Sequence, residues 1–194
     1  MKFLYLVVQR RNERQNWKFF CNFIRNPIRN ASVLPSSRRA SRSMFEGVDW
    51  TKMEYVIELG PGTGSFTREL YANLPHHCKV LIIELNADYI PSLQRRFGDR
   101  FEIIEGSADD FEEQMKTRNW PKADLVVSGL PFTLPKTVQD KLYASLLAQT
   151  EQGAVFRWFT YFPFLMKPHF RAFSFRLVKG VWFNLPPLWV YTVN

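Results

Sequence analysis

Short apolar runs alternate with amphipathic stretches from residue 55 onward. The apolar runs have the length of buried strands, and the stretches between them repeat apolar residues at helical spacing. The predicted strands are Tyr55–Leu59, Val80–Leu85, Phe101–Glu105, Leu125–Ser128 and Ala154–Thr160, with one or two more in the last forty residues. The predicted helices are Ser65–Asn73, Ala87–Phe97, Asp109–Lys116 and Thr137–Thr150. This alternation predicts an α/β fold whose mostly parallel sheet is covered on both faces.

The residues before the first strand follow a different pattern. Residues 10–25 predict a helix that ends before Pro27, because the residue preceding a proline is disfavoured in helical geometry. One face of this helix carries Arg11, Arg14, Lys18 and Arg25, and a broad opposite arc carries Trp17, Phe19, Phe20, Phe23 and Ile24. The pattern is typical of a helix that lies in a membrane interface. The alternative is a helix that docks its aromatic face on the parent domain, and the two states can alternate in one protein.

A second short helix is predicted over Arg38–Phe45. The preceding Pro35-Ser36-Ser37 offers a capping hydroxyl and free backbone N–H groups at its start. We therefore divide the chain into a basic helical extension that forms a lid, residues 1–45, and a main domain, residues 46–194.

The composition and charge of the chain indicate a class of binding partner. The chain has 194 residues, 46% of them hydrophobic and 23% charged, which suits one domain with an appendage. Its net charge of +8 is unevenly spread: residues 1–45 carry ten bases and one acid, residues 46–151 carry eleven bases and seventeen acids, and residues 152–194 carry five bases and no acid. Aromatic residues are interleaved with the bases at both ends. These ends predict a polyanionic partner, either nucleic acid or an acidic membrane surface.

Several classes of protein are disfavoured. Cys21 and Cys78 lie far apart with no C-x-x-C pairing, which argues against a disulfide scaffold or a zinc finger. His76, His77 and His169 form no ligand set with them, so no metal is expected. The apolar run Phe3–Val8 is too short to span a bilayer, and we expect a soluble or peripheral protein.

The sharpest motif is Glu58-Leu59-Gly60-Pro61-Gly62-Thr63-Gly64, directly after the first predicted strand. Its glycines allow a tight turn and a close approach of the backbone to a ligand. A second predicted strand carries an acid, Glu84, 20 residues after Gly64. An acid there can accept hydrogen bonds from both ribose hydroxyls of a nucleoside cofactor.

This series resembles that of class I S-adenosylmethionine-dependent methyltransferases. Glu58–Gly64 resembles their motif I, Gly106-Ser107-Ala108-Asp109 their adenine loop, and Ser128-Gly129-Leu130-Pro131-Phe132 their motif IV, where the methyl acceptor sits. The resemblance implies a Rossmann-like sheet of seven mostly parallel strands and S-adenosylmethionine as cofactor, with S-adenosylhomocysteine as product. The residues that it assigns to the cofactor are Glu58, Gly60, Pro61, Gly62, Thr63, Gly64, Glu84, Leu85, Ala108, Asp109 and Ser128.

The residues of motif IV indicate which class of methyl acceptor the site binds. In the related rRNA adenine dimethylases an Asn or Asp leads this motif and helps to hold a planar base, whereas here Ser128 is followed by an inserted-looking Gly129. Ser-Gly-Leu-Pro-Phe is instead similar to the bacterial phospholipid N-methyltransferases. That resemblance implies stepwise methylation of the head-group amine of phosphatidylethanolamine toward phosphatidylcholine. Another amine lipid, such as an ornithine lipid, stays open as the acceptor.

Methyl transfer to an amine needs a neutral lone pair, alignment and a dry site. We expect backbone carbonyls of the Ser128–Leu130 turn to orient the amine. Tyr161 is either the proton acceptor or a core aromatic, and His169 is the less favoured base because Lys167-Pro168-His169 is typical of an exposed turn. The residues predicted to bind the substrate are Ser36, Ser37, Arg38, Pro131, Phe132 and Tyr161. Phe132 and Tyr161 can face the methylated cation by cation–π contact.

We therefore expect a bacterial cytoplasmic enzyme, peripheral on the inner face of the membrane, that binds an anionic phospholipid surface through residues 10–25. Nucleic acid is not expected as a partner, nor is an obligate protein partner. An RNA-modifying methyltransferase, whose basic ends would grip phosphates, is the main alternative. The third hypothesis is a non-catalytic module that binds the cofactor and a membrane.

Overall fold

The structure of the protein, a computed structural model, describes residues 38–130, 134–166, 170, 173–182 and 187–193. Seven strands form one sheet: β1 Tyr55–Leu59, β2 Lys79–Glu84, β3 Glu102–Glu105, β4 Leu125–Ser128, β5 Val155–Thr160, β6 Phe175–Val181 and β7 Leu188–Val193. The helices are α1 Arg38–Ser43, α2 Ser65–Asn73, α3 Ile90–Phe97, α4 Phe111–Thr117, α5 Lys136–Glu151 and α6 Pro163–Met166. The predicted α/β class is confirmed.

The sheet has the order β3-β2-β1-β4-β5-β7-β6. Strands β1 to β5 are parallel to their neighbours among themselves, and β7 is antiparallel to both β5 and β6. Six strands therefore end at one edge, which we call the carboxyl edge. The chain reverses its direction of growth between β1 and β4, and a crevice forms at such a point of an open parallel sheet.

Apolar side chains alternate between the two faces of the sheet and form two cores. Val56 and Val127 face one core, where they are buried with Leu70 of α2 and Leu93 of α3. Ile57 and Val126 face the other, which α4 and α5 cover. A layer of helices on each face is the arrangement that a nearly all-parallel sheet requires.

The start of the described chain belongs to the first of these cores. Ala40 in α1 and Met44 just after it are fully buried, and α1 packs against α2 and β6. The predicted amphipathic helix over residues 10–25 lies outside the described residues. The division of the chain at residue 45 therefore stays a prediction.

Two predicted helices begin differently from the sequence pattern. The segments predicted from Ala87 and from Asp109 start with 3₁₀ turns, Ala87–Tyr89 and Ala108–Asp110, before α3 and α4 begin. At the first of these, the Asn86 side chain accepts a hydrogen bond from the backbone N–H of Asp88, which favours a tight turn. Within the described part of the chain, no helix is long and apolar enough to cross a bilayer.

Candidate cofactor and acceptor site

The predicted motifs meet at the carboxyl edge between β1 and β4. The turn after β1 begins at Gly60, and the turn after β4 begins at Gly129. The backbone N–H of Gly60 donates to the carbonyl of Ile83 on β2 at 2.9 Å, and that of Gly129 donates to the carbonyl of Leu59 at 2.8 Å. The hydrogen bonds of the sheet thus continue past the strand ends and hold both turns in register.

Gly60 and Gly129 allow these two turns to touch. A Cβ added at Gly129 would lie 2.5 Å from the carbonyl oxygen of Gly60, and one added at Gly60 would lie 2.7 Å from Cδ2 of Leu130. Real Cβ atoms essentially never come so close to another heavy atom. Gly129, which looks like an insertion in the sequence, is therefore the residue that lets motif IV lie against motif I.

The glycine turn leads directly into α2. Gly64 takes a left-handed conformation, with φ of 79°, at the position before the helix. Its neighbour Gly62 borders open space, because a Cβ added there would meet no atom within 4 Å. The turn is therefore closely packed at Gly60 and Gly64 and open at Gly62.

Glu84, at the end of β2, is almost fully buried and fixes the turn from the neighbouring strand. Its two carboxylate oxygens accept the backbone N–H groups of Gly62 at 2.9 Å and Asn86 at 2.8 Å. Burial raises the pKa of this carboxyl, and the donors at Asn86 and Gly62 oppose the rise. Each carboxylate oxygen has a second lone pair, so Glu84 keeps the capacity to accept hydroxyl groups.

Glu58, the fourth of the five residues of β1, is fully buried. Neither of its carboxyl oxygens has a hydrogen-bond partner among the described residues. Burial is the main cause that raises its pKa to about 8; the neighbouring Thr67 side chain opposes the rise, without a hydrogen bond of normal geometry, and the charge of Glu84 adds to it. A buried carboxyl without a partner is costly, and the cost falls when a cationic group binds beside it.

The loop after β3 lies next to this acid. The backbone N–H of Gly106 donates to the carbonyl of Glu84 at 2.9 Å, which fixes the loop against β2. Ala108 is buried, whereas the carboxylate of Asp109 accepts the Ser107 hydroxyl and lies 3.7 Å from Nζ of Lys141 on α5. Asp109 therefore anchors its own loop to α5. Its assignment to the cofactor stays a prediction, as does that of half-buried Leu85.

The predicted acceptor residues are only partly within the described chain. Ser128 is buried, and its hydroxyl accepts the backbone N–H of Leu130 at 3.3 Å, which closes the turn after β4. Tyr161 follows the neighbouring strand β5 and packs edge-on against Phe159 at 5.5 Å between ring centroids. Arg38 is exposed at the start of α1. The remaining predicted residues, Ser36, Ser37, Pro131, Phe132 and His169, lie outside the described residues.

Comparison with known proteins shows the family to which the chain belongs. No model of a protein family matches the chain. An ornithine lipid N-methyltransferase from Singulisphaera acidiphila is 32% identical over 178 residues, which cover 89% of this chain and 92% of that protein. The chain belongs to the class I S-adenosylmethionine-dependent methyltransferases.

Further relatives agree with this family. The methyltransferase is 28% identical over 130 residues to ribosomal RNA small subunit methyltransferase A from a Synechococcus strain, but that match covers 66% of this chain and 41% of the RNA enzyme. Among solved structures, DhpI in complex with SAH matches 94% of this chain and 96% of its own, with a TM-score of 0.59 at 14% identity. TrmN from Thermus thermophilus also has a TM-score of 0.59, over 81% of this chain and 49% of its own. These structures share the Rossmann-like fold predicted from the sequence.

S-adenosylmethionine is the cofactor of this methyltransferase, and the crevice suits it. The open side of the Gly62 turn offers room for a ligand, Glu84 offers an acceptor for ribose hydroxyls, and Glu58 offers a buried carboxyl that can ionise when a cationic group binds beside it. The cofactor carries positive charge on its ammonium and sulfonium groups. The two acids thus match different parts of one molecule.

Sequence reasoning missed one side chain of this methyltransferase that holds the glycine turn. Nη1 of Arg96 on α3 donates to the carbonyl of Thr63 at 2.7 Å. The two residues are 33 positions apart, and no motif joins them. Only the packing of α3 beside α2 brings the guanidinium to the turn, so the sequence pattern carries no signal for this contact.

Proposed function

We propose that this methyltransferase transfers methyl groups to the head-group amine of a membrane lipid, with an ornithine lipid as the favoured acceptor. The observation that carries the proposal is the end-to-end match with the ornithine lipid enzyme, which spans nine-tenths of both chains. The chain spans only about two-fifths of the length of the Synechococcus RNA enzyme, at lower identity. Motif IV supports the same choice, because Ser128 cannot make the planar contact that Asn or Asp makes with a base.

For methyl transfer, the protein must align one amine with the methyl group and exclude water from the site. When bound, the cofactor supplies a methyl group on a sulfonium sulfur, so that the amine lone pair forms the new N–C bond while the C–S bond breaks and S-adenosylhomocysteine leaves. The turn Ser128–Leu130 lies beside the glycine turn, where its carbonyls can accept the amine hydrogens and aim the lone pair. The methylated nitrogen then releases one proton, for which Tyr161 at the end of β5 is the proposed acceptor.

The proposed site of action is the surface of an anionic membrane. Residues 1–45 carry ten bases against one acid, and each base near an anionic leaflet contributes about 1 kcal/mol of attraction. The helix predicted over residues 10–25 would add its aromatic face to this binding. The proposal places the enzyme in the bacterial cytoplasm, at the inner face of the membrane.

Methyl transfer from labelled S-adenosylmethionine tests the acceptor. The protein is offered anionic vesicles that contain an ornithine lipid, vesicles that contain phosphatidylethanolamine, and ribosomal RNA. We expect label in the ornithine lipid first; label in phosphatidylethanolamine and its mono- and dimethyl forms would instead support a path toward phosphatidylcholine. Label in RNA alone would contradict the proposal.

Arg38 is proposed to contact the anionic part of the lipid head group. An Arg38→Ala variant is expected to raise KM for the lipid at least about tenfold, as for one charge-assisted hydrogen bond, and to leave KM for S-adenosylmethionine unchanged. Arg39→Ala is the matched control, because Arg39 is the next residue of α1 and is also exposed. Equal lipid KM values in both variants and the wild type would remove Arg38 from the site.

A further inference from the structure

Three aromatic side chains at the carboxyl edge are exposed to solvent. Phe162 is 54% exposed, Phe164 is 87% exposed and Trp182 is 70% exposed. Single exposed apolar residues are common on soluble proteins, whereas a group of them at one place marks an interaction site. Neither the motifs nor the core accounts for these three residues, which we call the aromatic rim.

The sheet register brings the aromatic rim together. Thr160 on β5 and Gly180 on β6 both pair with Trp189 on the strand between them. This row spans about 10 Å from β5 to β6 at the usual strand spacing. Phe162 and Trp182 each lie two residues beyond it, at the same edge of the sheet. Phe164 follows in α6, the short helix that begins directly after β5.

The position of Trp182 is fixed by its neighbours. Its ring packs edge-on against that of Trp189 at 5.5 Å between centroids. Both indole nitrogens lie close to Gly180, where an added Cβ would meet them at 3.4 and 3.5 Å. The backbone therefore leaves room for the two indoles side by side, and an exposed tryptophan is held outward by packing.

The aromatic rim lies beside the acceptor side of the site. Ser128 pairs with Trp158 on β5, and the rim begins four residues later along the chain, beyond the end of that strand. A head group bound at the Ser128–Leu130 turn would thus have its acyl chains near Phe162 and Phe164. An aromatic surface around the entrance matches the mixed polar and apolar boundary of a bilayer, where Trp and Phe side chains are favoured.

The charge of the surrounding chain indicates which partner the aromatic rim binds. Residues 152–194, which supply the whole rim, contain five bases and no acid. Arg157 is buried and Lys179 pairs with Glu46, whereas Lys167 and Arg171 follow Phe164 closely in the sequence. An anionic leaflet attracts such a segment, whereas a second copy of the same surface would repel it. The N-terminal extension, with nine more bases than acids, is disfavoured as a cover for the same reason.

We propose that Phe162, Phe164 and Trp182 form a membrane-docking surface on the catalytic domain, which inserts into the interface of an anionic bilayer and sets the entrance to the acceptor site against the leaflet. The proposal rests on the proposed function for the identity of the acceptor, but not for the binding itself. It is separate from any contribution of residues 10–25.

Vesicle binding by the full chain tests the surface. The probe is a vesicle of phosphatidylglycerol and phosphatidylcholine without any amine lipid, and partition is measured by cosedimentation. A Phe164→Ser, Trp182→Ser double variant is expected to bind at least about tenfold more weakly, because burial of one large aromatic side chain is worth about that factor. A Phe162→Ser, Phe164→Ser pair repeats the test without removing the contact between the two indoles.

Leu177→Ser is the matched control. Leu177 is 53% exposed on the same strand that leads to Trp182, but lies about 16 Å from it along an extended chain. We expect this variant to bind vesicles within about twofold of the wild type. Equal loss in Leu177→Ser would show a general effect of exposed apolar residues and would overturn the proposal.

Two more measurements separate this proposal from the proposed function. If double-variant and wild-type chains bind vesicles equally, or if the variant converts a wild-type dimer to a monomer, the docking surface is overturned, whatever the methyl acceptor. If vesicle binding falls as expected while no lipid amine is methylated, the docking surface stands and the proposed function fails. Methylation of a soluble amine analogue of the head group, which has no acyl chains, is expected to stay within about twofold in the double variant, since Phe164 and Trp182 lie outside the catalytic turn.

Discussion

Two glycines from different motifs decide whether the site can form. Gly129 and Gly60 bring the turns after β4 and β1 into contact at distances that no other residue permits. This contact places the acceptor turn beside the cofactor turn. A methyl group passes between two ligands only if both turns keep this spacing.

We therefore expect Gly129→Ala to lose most activity. Its Cβ would lie 2.5 Å from the Gly60 carbonyl oxygen, so one turn must move. Such overpacking costs about 1–3 kcal/mol of stability, and a displacement near 1 Å lowers kcat/KM about a hundredfold. The matched control is Gly106→Ala, where the added Cβ would meet only Cγ2 of Ile83 at 3.5 Å, an ordinary contact. Steady-state kinetics and thermal unfolding of both variants measure the difference, and similar losses in the two would contradict the argument.

Burial of Glu58 makes the stability of the cofactor-free protein depend on pH. Its carboxyl has a pKa of about 8 in the folded state, mainly because of burial, against 4.5 as the ordinary value. Below pH 4.5 both states hold the proton and no stability is lost. As the pH rises toward 8, the unfolded chain releases the proton first, and the free energy of unfolding falls by about 1.4 kcal/mol per pH unit.

A Glu58→Gln variant removes this pH dependence. We expect the cofactor-free variant to be more stable than the wild type at pH 8 and nearly equal at pH 5, as measured by denaturant unfolding. Its affinity for S-adenosylmethionine is expected to fall, because a neutral amide cannot balance the cofactor's positive charge. Parallel pH profiles for the two proteins would show that Glu58 is not the group responsible.

At the scale of elements, α3 supports the glycine turn from outside. Besides the Arg96 contact with Thr63, the side chains of Leu93 and Phe97 press on Gly64, where an added Cβ would meet each at 3.0 Å. The turn is thus fixed by β2 through Glu84 and by α3 through Arg96. Among the described residues, these two side chains bond the glycine turn at Gly62 and Thr63.

Loss of the Arg96 contact is expected to affect the cofactor more than the chemistry. Arg96→Ala should raise KM for S-adenosylmethionine about fivefold, the worth of one hydrogen bond, with kcat within about twofold. Arg95→Ala provides the control, since Arg95 is exposed on the same helix. Initial-rate kinetics with cofactor varied at saturating lipid give both parameters. A change confined to kcat would place Arg96 in another role.

Strands and glycine motifs were predictable from the sequence because they depend on local patterns. The apolar run Tyr55–Leu59 and the turn after it are both found as predicted. The antiparallel placement of β7 between β5 and β6 was not predicted, because strand order depends on pairing between distant segments. The contact of Gly129 with Gly60 and that of Arg96 with Thr63 depend on the same long-range packing, so the local pattern could not show them.

At the scale of the whole molecule, the sheet separates two tasks. Strands β1 to β3 carry Glu58, Glu84 and the adenine loop, in a part of the chain with seventeen acids and eleven bases. Strands β5 to β7 carry the aromatic rim in a part without acids. The cofactor half is therefore rich in acids, as suits a cationic cofactor, and the other half carries bases without acids. β4 lies between them with the acceptor turn.

Binding of the cofactor is expected to raise the thermal stability of the whole molecule. A ligand at 100 times its Kd that binds only the folded state adds about 2.7 kcal/mol. For a chain of this size that corresponds to a rise in Tm of about 5–10 °C. Glu84→Gln should abolish most of the rise, because an amide cannot accept both the backbone N–H groups and the ribose hydroxyls. Glu105→Gln should keep it, since Glu105 pairs with Glu84 in the sheet register but is exposed. Thermal unfolding with and without S-adenosylmethionine compares the three proteins, and an undiminished rise in Glu84→Gln would move the ribose site away from β2.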